Sequence, residues 1–143
     1  AHENPIIENI FKHDFEKDGK FNHDILNIDL GWCVSVSEHI EERAVYDFLD
    51  VFKKCKWVVF TWCPIGFPGY HHVNCQEAPY WIEKFKEINF SYCPKLTAKL
   101  KYDFAKLVMI KTPYWRDTRL NAKKVGKKYL WSWGMIFKND TIT

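Results

Sequence analysis

WCVSVSEHIEERAVYDFLDVFKKCKWVVFTWCPIGFPGYHHVNCQEAPYW, residues 32–81, decides how this chain is read. Two short runs rich in β-branched and aromatic residues, 33–37 and 57–62, bracket a segment with helical spacing. The first run, Cys33-Val34-Ser35-Val36-Ser37, reads as a buried strand, and so does the second, Trp57-Val58-Val59-Phe60-Thr61-Trp62, which is apolar nearly throughout, as a strand covered on both faces should be. Each run is followed by polar groups fit for chemistry. Glu38 and His39 come after the first; Gly66, Gly69, His71, His72 and Asn74 come after the second. In open parallel sheets ligands bind outside the carboxyl ends of the strands, which is where both groups would lie.

Outward from this core, the segment after Ser37 predicts a helix. Ser37 is placed as its N-cap, Glu38, Glu41 and Glu42 favour the positive end of the helix dipole, and Val45, Phe48, Leu49, Val51 and Phe52 form the apolar face. Lys53, Lys54 and Lys56 close it. A second helix starts at Ala78 with Pro79 in its first turn, shows an apolar stripe of Trp81, Ile82, Phe85 and Ile88, and stops at Asn89. A short strand over 90–93 follows, then a helix over 96–110 with Leu96, Leu100, Phe104, Leu107 and Val108 on one side, ended by Pro113. Residues 114–128 are polar and basic, and the last strand is expected around 134–137. Upstream, residues 25–30 alternate loosely as a short strand or an extended approach, and 16–20 read as a polar turn. Strands alternating with helices indicate an α/β fold in one domain, 1–143, with an undecided N-terminal segment over 1–30 and a core from 31 to 138.

Composition bounds the function classes. With 47% hydrophobic and 27% charged residues the chain is globular rather than disordered. A net charge of +3 does not by itself argue for nucleic acid, and Lys123, Lys124, Lys127 and Lys128 near Arg116 and Arg119 read as a solvated face or a phosphate-contacting surface. No apolar stretch approaches the ~20 residues that span a bilayer, so no membrane association is expected. Five cysteines without a C-x-x-C pair read as free thiols in a reducing compartment, the cytoplasm.

Glu38 at a strand end can hold a ribose hydroxyl or a cationic ligand, and His39 can act as a general base; a capping Glu and a surface His are the plain alternative. His71, His72 and Asn74 either face a substrate from a glycine-containing loop or brace that loop. Imidazole and thiolate suit zinc, and His71 or His72 with Cys75 and His39 is a candidate set, but adjacent histidines point apart and the spacings are unfamiliar, so no metal is expected. Asp14, in His13-Asp14-Phe15, can accept from an adenine amino group. There is no G-x-G-x-x-G and no P-loop.

The order of these pieces resembles class I S-adenosylmethionine-dependent methyltransferases of the small type found in bacteriophages and bacteria. Ser35-Val36-Ser37-Glu38-His39-Ile40 is similar to the segment that leaves the family's fourth strand, with Ser35 where relatives carry a Glu. His72-Val73-Asn74-Cys75-Gln76, followed by Tyr80-Trp81-Ile82, is similar to the run after the fifth strand, with Tyr70 replacing a His. Trp133-Gly134-Met135-Ile136-Phe137 resembles the final antiparallel strand, so the likeness covers about residues 30–138.

With the family's glycine-rich loop not visible here, the sequence reads either as a fragment whose first strands lie elsewhere or as a shortened homologue that has lost or rebuilt its cofactor site. The resemblance implies a Rossmann-like, mostly parallel sheet with an antiparallel final strand. It implies S-adenosylmethionine as cofactor, held by Asp14, Ser35, Ser37 and Glu38, with His39 and His72 as candidate bases and Trp62, Tyr70, His71 and Asn74 facing a methyl acceptor of unknown size. Missing strands would leave the edge of the first strand to be covered by self-association or by a partner chain. Two other readings stay open: an inactive methyltransferase-like module serving in assembly, and a metal-assisted hydrolase.

Overall fold

The apolar run around residues 58–60 becomes one of the two inner strands of a four-stranded sheet. The computed structural model describes residues 11–22, 28–111 and 133–142. Its strands are β1 (Ile28–Cys33), β2 (Cys55–Thr61), β3 (Phe90–Tyr92) and β4 (Gly134–Asn139), in the spatial order β1-β2-β4-β3. β1 pairs parallel to β2, with Leu30 opposite Trp57 and Cys33 opposite Phe60. β4 enters antiparallel between β2 and β3, with Phe60 opposite Met135 and Tyr92 opposite Phe137.

The expectation of a mostly parallel sheet is corrected by this insertion. Because β4 separates β2 from β3, two of the three pairings are antiparallel, although β1, β2 and β3 all run the same way. The architecture is α/β with a mixed open sheet, and the last strand is antiparallel to both neighbours.

Among the described residues the α-helices are α1 (Val45–Asp50), α2 (Ala78–Glu87) and α3 (Pro94–Lys111). Pro79 stands in the first turn of α2, and Asn89, at φ 64°, turns the chain out of it into β3. The helix expected from Glu38 to Lys56 is broken instead. One 3-10 turn covers Ser37–His39, a second covers Glu42–Ala44, and a third, Val51–Lys54, follows α1; Ile40 between the first two is extended. The cause is the Glu38 carbonyl, which accepts from the amides of Val73 and Asn74 and so is lost to a helical ladder.

One face of the sheet is a core of rings. Phe60 lies 5.0 Å from Trp81 and from Phe85, and Phe85 stacks on Phe137 at 3.9 Å and 11°. Phe48 and Phe52 of the α1 segment complete it, with Phe15 edge-on to Phe48. Each such buried side chain contributes about 1.5–3 kcal/mol. The 3-10 turn after α1 and the start of β2 crowd β1 so closely that a Cβ on Gly31 would meet Phe52 Cδ1 at 3.1 Å and Cys55 Sγ at 3.0 Å.

Three further expectations shift. The first strand ends at Cys33 rather than beginning there, since Ser35 turns at φ 56°. Ser37 caps no helix: its hydroxyl donates to the Thr61 carbonyl. Leu96 is 42% exposed, while Thr97 is buried and accepts the Ile136 amide at 2.9 Å. The expectations for residues 25–27, for Phe104, Leu107 and Val108, for Pro113 and for the basic stretch 114–128 lie outside the described residues or side chains. Among the described residues no helix is long and apolar enough to cross a membrane.

Candidate functional site at the carboxyl ends of two parallel strands

Parallel pairing of β1 with β2 brings the two post-strand loops side by side, and hydrogen bonds stitch them together. The Ser35 amide donates to Thr61 Oγ1 at 2.9 Å and Ser37 Oγ donates to the Thr61 carbonyl at 3.1 Å. The Glu38 carbonyl then accepts from Val73 at 2.9 Å and Asn74 at 3.1 Å. Serine side chains often compete with regular structure in this way, which is why a Val-Ser-Val-Ser alternation ends as a loop.

The side chains carried by the two loops meet. Nδ1 of His39 donates to the His71 carbonyl at 3.0 Å; a carbonyl only accepts, so Nδ1 holds a proton, and in the neutral ring the lone pair is on Nε2. The ring of His39 lies edge-on to that of His72, centroids 5.1 Å apart. Glu38, His39 and His72 each offer a ligand atom, all within 4.8 Å of one another. Nδ1 of His72 faces two sulfurs, Cys63 Sγ at 3.5 Å and Cys75 Sγ at 3.8 Å, and these three atoms also lie within 4.8 Å. The loop presses on the imidazole: a Cβ on Gly69 would sit 2.0 Å from His72 Cε1.

Several buried polar atoms of this rim have no hydrogen-bond partner among the described residues. They are Glu38 Oε2, Trp62 Nε1 and Asn74 Nδ2, with Tyr80 Oη and Trp81 Nε1 in the first turn of α2. Native proteins leave few such atoms, each costing about 1–3 kcal/mol, so a group at the end of two strands is a place for bound water or ligand. Glu38, only 6% exposed, is felt electrostatically at both strand ends. Burial, then the Glu38 charge, pushes the Cys33 thiol up to about 12. Burial first, then the charge and hydrogen bond of Cys75, then Glu38, push Cys63 up to about 12.

The sequence-derived site residues fall into distinct places. Glu38, His39, His72 and Asn74 converge on the rim, and Ser37 is buried there with its hydroxyl engaged. Ser35 is exposed. His71 is exposed and contributes its carbonyl. Tyr70 is 95% exposed at the loop tip, whereas Trp62 is 7% exposed, its ring inside the core. Asp14 belongs to a separate turn, where it pairs with Lys17 and accepts the Glu16 amide; Phe15 and Glu16 attach that turn to Phe48 and Arg43. Cys63 is the residue that sequence reasoning passed over. Its position two residues past Thr61, ahead of a His-x-x-Cys run, was the available signal.

No family model matches the chain, and neither a curated protein nor a solved structure matches it.

Proposed function

We propose that this is a methyltransferase-type domain that binds S-adenosylmethionine at the rim of β1 and β2 and directs its methyl group to an acceptor. The observation that carries the reading is the meeting of Glu38, His39 and His72 from two parallel-strand loops, within 4.8 Å. The antiparallel β4 beside β2 is in keeping with it. The cofactor supplies an activated methyl on a cationic sulfonium. The rim suits such a group: a buried carboxylate oxygen without a partner, Glu38 Oε2, complements positive charge. In this reading Glu38 and Asn74 orient, and His39 takes the acceptor's proton on Nε2, its ring fixed by the His71 carbonyl. Tyr70, exposed beside the rim, is the ring on which a flat acceptor can stack.

Thermal unfolding with S-adenosylmethionine tests this. A rise in midpoint at millimolar ligand, reduced in Glu38→Gln and kept in His39→Ala, is the expected pattern, since His39 serves proton transfer and not cofactor binding. No shift in the wild-type chain contradicts it.

A second reading, an inactive module used in assembly, is favoured by one specific feature. Among the described residues β1 has no strand on its outer side, and its Leu30 and Trp32 are 50% and 57% exposed. A self-associating or partner-bound chain without cofactor affinity would support it.

A further inference from the structure

We infer that Cys63, His72 and Cys75 form a metal site of the zinc type, built where β2 runs into the following loop. A tetrahedral zinc with Zn–S of about 2.3 Å and Zn–N of about 2.0 Å has S···N edges of about 3.5 Å and S···S edges of about 3.8 Å. Both S···N edges are short, 3.5 Å for Cys63 and 3.8 Å for Cys75 to Nδ1 of His72, and the S···S edge lies within 4.8 Å. The set is already gathered to the scale of one coordination sphere, and its chemistry, two thiols and an imidazole, is soft enough to exclude magnesium and calcium.

Three features of the fold hold it. Cys63 is buried and fixed just past β2, where its carbonyl accepts the Gln76 amide at 3.0 Å, so the two ends of the loop are tied together. Gly69 leaves room for His72 that any side chain would occupy. Glu38 is the outer partner. Glu38 Oε2 is buried without a partner and the Glu38 carboxylate lies within 4.8 Å of the His72 ring, so a metal held on Nδ1 would leave Nε2–H as the donor that settles toward it. That is the carboxylate–histidine–metal relay common around zinc. Three protein ligands leave one tetrahedral position for water or an exogenous donor.

This inference does not rest on methyl transfer; a chain indifferent to S-adenosylmethionine that takes up cobalt at these sulfurs keeps the site. The probe is cobalt(II), titrated under a non-thiol reductant into the full chain and then displaced by zinc. The expected result is one cobalt per chain with a sulfur-to-cobalt charge-transfer band. The band falls to about half in Cys75→Ser, whose half-buried side chain tolerates the change, and vanishes when Cys63→Ser is added. It persists in Cys93→Ser, whose sulfur lies elsewhere, against the Ser91 carbonyl. Glu38→Gln leaves the band but weakens zinc about 10–100-fold. Absence of the band in the wild-type chain overturns the site, as does a band that survives the double variant.

Discussion

Single residues carry more of this fold than hydropathy suggests. Asn139, at the end of β4, is buried with both ends of its amide used. Its Nδ2 donates to the carbonyls of Lys53 and Cys55 at 3.0 and 3.1 Å, and its Oδ1 accepts from the amide and hydroxyl of Thr141. It ties the last strand to the junction between α1 and β2. Asn139→Ala should destabilise the chain by about 2–4 kcal/mol in chemical denaturation, because it leaves buried carbonyls unmatched. The thiols give a pH signature. Burial raises Cys33 to about 12 and Cys55 to about 11 from an ordinary value near 9. The folded chain therefore keeps protons that the unfolded chain releases above pH 9. Their stabilisation is complete below pH 9 and is lost as pH rises through 11 and 12, each group adding a slope of up to about 1.4 kcal/mol per pH unit. Denaturation midpoints between pH 8 and 11 measure it; Cys33→Ala should flatten the fall. None of this was legible in the sequence, where an asparagine after a strand and isolated cysteines have no pattern. Glu38 and His39 were legible, because their place after an apolar run carries a physical rule about strand ends.

At the scale of elements, what was legible follows from what each element depends on. α2, its Pro79 start, its Asn89 stop and β3 were readable because caps and apolar spacing act locally. The segment after Cys33 was misjudged because its structure is set from outside. Thr61, Val73 and Asn74, up to 36 positions away, take up the hydrogen bonds that a strand or helix would have used. The two loops thus form one unit, and Gly69 is its tightest point. Gly69→Ala meets only the far end of a movable side chain, so stability should change by less than about 1 kcal/mol in denaturation. The same substitution should displace His72 and strongly weaken cobalt binding. Unchanged cobalt affinity would detach Gly69 from the site.

The whole molecule is a mixed sheet with aromatic helices on one face and a strand, β1, at its edge. Among the described residues β1 pairs only with β2, and its Leu30 and Trp32 are exposed. If a second copy supplies the cover, the sedimentation mass should rise with concentration and Trp32→Lys should return it to a single chain; a wild-type mass that is monomeric at all concentrations contradicts self-association. The central claim is that the loops after β1 and β2 make one ligand-binding rim. Amide chemical shifts of the isotope-labelled chain, followed while S-adenosylmethionine is added, test it most directly. Glu38 and His39 should move together with residues 71–76 along one binding curve. Shifts confined to one loop, or none at millimolar ligand, would contradict it.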